Sequence, residues 1–129
     1  MIFKENNKAI YLQIADKICD DILAGALKCG ERILSVRDYA ASVEVNANTV
    51  MRSYEHLSRL GIIYNRRGIG FFISDDGLDI VRKMKKEELF NGDMPHFFRQ
   101  MMLIGIDSDE LKSMYETFLA TESKNNPSQ

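Results

Sequence analysis

Residues 45–74 read VNANTVMRSYEHLSRLGIIYNRRGIGFFIS. Within that stretch the apolar pattern changes period, and the change restricts the fold severely. Val50, Tyr54 and Leu57 recur at i, i+4 and i+7, the spacing of one buried helix face. Asn46 can cap such a helix, because its side-chain oxygen can accept from an orphan backbone N–H. The helix is predicted from about Ala47 to Leu60, with Gly61 ending it. Ile62–Tyr64 and Phe71–Ile73 are rich in strand formers, and the Gly-containing link between them predicts a hairpin. The hairpin tip, Asn65-Arg66-Arg67-Gly68-Ile69-Gly70, carries two cations beside residues whose backbone can approach another surface closely.

The upstream sequence supplies the partners. Tyr11, Ile14, Ile18 and Ile22 predict an amphipathic helix over residues 8–24, stopped by Gly25. Residues 26–34 predict a turn with a short extended piece at Arg32–Leu34. Ser35-Val-Arg-Asp38 opens a second helix with a capping-box pattern, ending near Val43. Glu44–Val45 is left as a turn. Two helices joined by a short turn and followed by a hairpin describe a winged helix-turn-helix.

Beyond Asp75 the chain is helical again. Leu78, Val81, Met84 and Leu89 predict an amphipathic run, and Asn91-Gly-Asp-Met-Pro95 predicts a break or restart. A last helix is predicted from Asp107–Asp109 to about Thr121, with Leu111, Met114, Tyr115 and Phe118 inward. The fold class is therefore mainly α with a small β-hairpin. Residues 1–75 form the winged helix-turn-helix, 76–123 a short helical dimerisation tail, and 124–129 a disordered C-terminus. The apolar side chains Phe90, Phe97, Phe98, Met101, Met102, Met114, Tyr115 and Phe118 exceed what two helices can hide by themselves. A homodimer interface is the expected use of the surplus, since large apolar patches are unusual on monomers.

Composition narrows the function classes. A hydrophobic fraction of 45% with 28% charged residues fits a soluble globular protein. The net charge is −2, but it is unevenly spread. Residues 1–74 hold ten Lys and Arg against eight Asp and Glu, a net +2, and residues 75–129 hold seven against eleven, a net −4. The front is the half suited to a polyanion. No apolar run reaches the roughly 18 residues of a membrane span, and MIFKENNKAIY has no signal-peptide apolar core. A cytoplasmic protein that does not enter membranes is expected. Cys19, Cys29, His56 and His96 show no metal-ligand spacing, and both thiols are expected to be reduced and mostly buried. The acids are scattered, and Gly68-Ile69-Gly70 lacks the third glycine and the strand-to-helix setting of a phosphate loop. No enzyme and no cofactor are expected.

The candidate chemistry is nucleic-acid recognition. With Val50, Tyr54 and Leu57 inward, the third helix shows Asn48, Thr49, Arg52, Glu55 and Arg59 outward. Arg52 shares a face with Thr49 and Asn48. Asn can pair with adenine edges, and Arg with guanine edges or phosphates. Taken alone, this face could equally be an ordinary solvated one, and the tip arginines could serve solubility. Their adjacency favours DNA. Arg37, in the first turn of the second helix beside Ser35, can reach a phosphate or pair with Asp38 or Glu44.

These residues resemble the GntR family of bacterial transcription regulators over most of 9–74. The pieces that carry the likeness are IYLQI, the G-A-L-K-x-G turn, S-V-R-D-Y-A, V-N-A-N-T-V-x-R-x-Y and the R-R-G-x-G-x-F wing. The short helical tail is similar to the YtrA subfamily. The resemblance implies that Ser35, Arg37, Asn46, Asn48, Thr49 and Arg52 contact DNA or position the recognition helix. It also implies that Arg66, Arg67, Gly68 and Gly70 approach the minor groove. It further implies a homodimer on a palindromic double-stranded operator, a repressor's role, and control of a transporter operon. Any small-molecule effector would sit at the dimer interface. The rival class is a winged helix used for protein interaction without a DNA target. The family commonly has proline where this chain has Ala9, Cys29 and Leu34. Losing each costs about 0.4–1 kcal/mol of turn rigidity through the unfolded state. Met51 stands where many members carry a basic residue, which removes one contact and shifts sequence preference.

Overall fold

The computed structural model describes residues 8–125. Its elements run α1 (Ile10–Leu23), α2 (Val36–Val43), α3 (Ala47–Arg59), β1 (Ile63–Arg66), β2 (Gly70–Ile73), α4 (Gly77–Asn91), α5 (Asp93–Ile104) and α6 (Ser108–Asn125). The order and types are those the sequence predicts, with small shifts at the ends. The last helix runs four residues past Thr121, so Lys124 and Asn125 are helical. The rest of the terminus expected to be disordered, 126–129, lies outside the described residues.

The caps form as the sequence suggests. The Ser35 Oγ accepts from the Asp38 backbone N–H at 3.1 Å, and the Asn46 Oδ1 accepts from the Asn48 N–H at 2.7 Å. Between α2 and α3 the chain turns through Glu44, a non-glycine residue held in the left-handed region at φ 57°.

The chain divides into two compact units, Met1–Lys86 and Glu87–Gln129. In the first, Ile14 and Ile18 of α1 pack with Val50, Tyr54 and Leu57 of α3 and with Ile62, Ile63 and Ile73 at the base of the hairpin, all essentially buried. Tyr54 links the parts. Its hydroxyl donates to the Leu34 carbonyl at 2.7 Å, and its ring meets Phe71 of β2 edge-on at 5.0 Å. Burial raises the phenol pKa of Tyr54 and, with help from the Asp21 charge, that of Tyr39.

The hairpin is antiparallel, with Ile63 opposite Ile73, Tyr64 opposite Phe72, Asn65 opposite Phe71 and Arg66 opposite Gly70. Residues 30–33 pair with its free edge. Gly30 N–H donates to Ile73 O at 2.8 Å, Ile73 N–H to Glu31 O at 2.9 Å, and Ile33 N–H to Phe71 O at 3.0 Å. The short extended piece expected near Arg32 is thus a third rung, bridging Phe72.

Two expectations change. The first unit continues past residue 75 into α4, because Val81 is fully buried and Leu78, Ile80 and Met84 pack on the same core. Helix α4 is also tied to α1 by Lys85, whose Nζ lies 3.8 Å from Asp16 and 4.0 Å from Asp20. Secondly, Cys19 is buried but Cys29 is exposed, since its turn projects beyond the core.

In the second unit, α4 breaks at Gly92 and α5 starts at Asp93, where the sequence places a restart. Neither α5 nor α6 has a buried residue. Met114, Tyr115 and Phe118, expected to face inward, are each more than half exposed on the single chain. Two helices offer too little surface to cover a stripe that wide.

Candidate nucleic-acid interface

Helix α3 has two distinct faces. Val50, Ser53, Tyr54 and Leu57 are buried. Asn48, Met51, Arg52, Glu55 and Arg59 are exposed, and Thr49 is half-buried. Asn46 spends its side-chain oxygen on the cap, so its part is to set the start and axis of α3. Ser35 does the same for α2. Asn48 and Arg52 are one turn apart on the outward face, free to meet base edges or phosphates. Met51 is 38% exposed on the same surface, offering a flexible apolar contact where a cation would offer a charge.

Arg52 has an aromatic neighbour. Its guanidinium carbon lies 4.1 Å from the centroid of the Tyr11 ring, a cation–π distance. The spacing rules gave no sign of this contact, which joins residues 41 positions apart.

At the wing, Arg66 forms no ion pair among the described residues, and its guanidinium carbon lies 5.6 Å from the Phe72 ring centroid. Arg67 and Gly68 form the exposed tip. The Ile69 N–H donates to the Arg66 carbonyl at 2.9 Å, closing a turn that needs the φ of +78° held by Gly68. Gly70 has a different reason. A Cβ there would lie 2.9 Å from Nε and 3.2 Å from a terminal nitrogen of Arg32. Absence of a side chain at Gly70 lets the Arg32 guanidinium cross the hairpin. Gly70 is also the strand partner of Arg66. Arg32 is the wing cation that the sequence reading missed. Its role depends on the bridge to Phe72, which no local pattern announces.

Charge pairing holds Lys8, Lys17 and Lys85 against acids and leaves the other described basic residues open, those of α2, α3 and the wing among them. The ion pairs among the described residues join lysines to acids of α1: Lys8 to Asp16, Lys17 to Asp21, and Lys85 to Asp16 and Asp20. The Asp21 hydrogen bond and charge raise the Lys17 pKa. Arg32, Arg37, Arg52, Arg59, Arg66 and Arg67 form no ion pair among the described residues. Arg37 in particular does not pair with Asp38 or Glu44. Cations left without internal partners are available to an external polyanion.

A helix-turn-helix with a polar, arginine-bearing second helix, followed by a hairpin of unpaired arginines, is a winged-helix DNA-binding domain. The pattern of the bacterial regulatory proteins of the gntR family matches residues 10–73. The chain is 37% identical to the uncharacterized HTH-type transcriptional regulator YhcF of Bacillus subtilis over 114 residues, 88% of this chain and 93% of that protein. It is 33% identical to the HTH-type transcriptional repressor YtrA of the same species, over 83% of this chain and 79% of that one. A solved GntR-family structure from Bacteroides thetaiotaomicron superposes with a TM-score of 0.71 at 47% identity, covering 88% of this chain and 99% of that one. The chain belongs to the GntR family and is a DNA-binding transcription regulator, not an enzyme. The protein-interaction alternative yields to that membership. No helix among the described residues is long and apolar enough to cross a membrane.

Proposed function

We propose that the chain is a cytoplasmic repressor acting as a homodimer on an inverted-repeat operator. The observation that carries the DNA contacts is the set of unpaired arginines on α2, α3 and the wing. In this reading α3 enters a major groove, with Asn48, Thr49 and Arg52 reading bases. Arg37 contacts the backbone at the first turn of α2. Arg66 and Arg67, joined by Arg32, follow the phosphates or the minor groove, and Gly68 and Gly70 let the backbone come close. Affinity then comes largely from phosphate neutralisation and specificity from α3.

The exposed apolar side chains of the second unit support the dimer. Phe90, Phe97, Phe98, Met102, Met114, Tyr115 and Phe118 are each about half exposed or more on the single chain, with Met101 half-buried among them. A two-fold dimer would set half-sites about one helical turn, roughly 34 Å, or a multiple of it, apart. A groove of about 780 Å³ between α5 and α6, lined by Leu89, Phe98, Met114, Tyr115 and Phe118, lies within this surface, so an effector would act there. The repressor's role and a transporter operon as target follow from the likeness to the YtrA group.

Selection of bound duplexes from a random pool tests the proposal. An enriched inverted repeat is expected. Arg52→Ala should then cost about 1–3 kcal/mol on the selected site alone if it makes a bidentate base contact. Arg66→Ala with Arg67→Ala should weaken selected and random DNA alike and lower the salt slope by about 2. A pool with no enrichment, or a salt slope that the wing changes leave untouched, would contradict it.

A further inference from the structure

We infer that Tyr11, in the first turn of α1, is a positioning residue for DNA recognition, holding the Arg52 guanidinium ready on the outward face of α3. This rests on the reading of Arg52 as a DNA contact.

The geometry has three parts. Arg52 stacks at 4.1 Å on the Tyr11 ring. The backbone beneath that ring is fixed to α3, because the Ser53 Oγ, fully buried, donates to the Tyr11 carbonyl at 2.7 Å. The same hydroxyl lies 3.2 Å from the Thr49 carbonyl, so it ties α1 to α3 beside both Thr49 and Arg52. His56, one turn further along α3, meets the Tyr11 ring edge-on at 6.2 Å. The ring is therefore located against α3 by successive contacts along one stretch of that helix, and Arg52 forms no ion pair among the described residues that would hold it elsewhere.

Stacking suits a waiting arginine. A guanidinium lying flat over a ring engages its face, whereas bases and phosphates are met by N–H groups lying in its plane. Tyr11 can thus order Arg52 without occupying its donors. A long side chain ordered before binding loses less rotamer freedom on the DNA. Helix α1, which carries no expected DNA contact, would in this way contribute to affinity through Arg52.

The test uses the full chain and a duplex enriched by it from a random pool. Tyr11→Leu should bind roughly 3–10-fold more weakly, the range expected for one side chain that must be ordered on binding. Tyr11→Phe, which keeps the ring, should bind as the unaltered chain does. In an Arg52→Ala background, Tyr11→Leu should cause no further loss. Should Tyr11→Leu lower the melting temperature, Tyr11→Met, a flexible side chain without a ring, is expected to show the same loss of binding with the fold intact. Tighter binding by Tyr11→Leu would mean that the ring competes with DNA, and equal losses in Tyr11→Phe and Tyr11→Leu would mean that the hydroxyl itself is the contact. Either overturns the inference. If Arg52→Ala leaves affinity unchanged, the reading of α3 falls and this inference with it. If Arg52→Ala weakens binding while Tyr11→Leu and Tyr11→Met do not, only the positioning role falls.

Discussion

A chain ended after Asp75 should not behave as a stable DNA-binding domain, whereas one ended after Lys86 should. The difference lies in the first part of α4, Gly77 to Lys86, nearly three turns. Val81 is fully buried in the winged-helix core, and Leu78, Ile80 and Met84 are partly buried against it. Burying one such side chain completely is worth about 1.5–3 kcal/mol. One full and three partial burials together give roughly 4–6 kcal/mol on the same scale. Gly77 adds a close seat, since a Cβ there would lie 3.0 Å from the Ile62 carbonyl oxygen. Domains of this size have a total stability of about 5–15 kcal/mol, so the loss takes about a quarter of it or more. At about 4–8 °C per kcal/mol for a domain this small, the shorter chain should melt at least 16 °C lower or be unfolded at 25 °C. Thermal unfolding followed by circular dichroism on residues 1–75 and 1–86 measures the difference directly. Melting temperatures within about 5 °C of each other would refute the assignment of α4 to this core, because that gap corresponds to only about 1 kcal/mol.

Three further outcomes follow from particular residues. Glu44→Gly relieves the left-handed backbone between α2 and α3. It should stabilise the fold by roughly 0.5 kcal/mol after glycine's larger unfolded-state entropy is subtracted, raising the melting temperature by about 2–4 °C with DNA affinity unchanged; a lower melting temperature would show the turn to be unstrained. Tyr54→Phe removes the hydroxyl that donates to Leu34 and should cost about 1 kcal/mol at pH 7. The raised phenol pKa of Tyr54 means that its contribution is full below the unfolded value near 10 and is lost as pH climbs beyond it. The penalty of Tyr54→Phe in denaturant titrations should therefore shrink between pH 7 and 11, and a constant penalty would contradict that sign. Met102→Glu or Phe118→Glu places a charge at a site 71% or 58% exposed on the single chain. The single chain should tolerate either within about 0.5 kcal/mol, but sedimentation should show dimerisation weakened by at least about 100-fold, the effect of roughly 2.7 kcal/mol for desolvating an unpaired charge; an unchanged dimer would move the interface elsewhere.

What the sequence made legible was the part whose causes are local. Ser35 and Asn46 cap helices through bonds spanning three and two residues, and the spacing of Val50, Tyr54 and Leu57 sets the buried face of α3 without reference to anything distant. Arg66 and Arg67 could be assigned to a tip because Gly68 and Gly70 follow them directly. Arg32 and Tyr11 escaped notice because their parts in the site come from other segments. Arg32 matters through a bridge to Phe72 and the bare backbone of Gly70, and Tyr11 through an arginine 41 residues away. The boundary inside α4, between Lys86 and Glu87, is hidden from the sequence for a related reason. The stripe of Leu78, Val81, Met84 and Leu89 is continuous, yet the early members are covered by the winged-helix core and Leu89 remains 46% exposed. Periodicity tells which side of a helix avoids water and not what covers it. The same ambiguity explains Met114, Tyr115 and Phe118. Their spacing demands a partner surface, and two short helices do not supply one. An inward-facing pattern that stays exposed on the folded single chain points beyond that chain, so the apparent failure of the prediction at these residues is itself the physical argument for a second subunit.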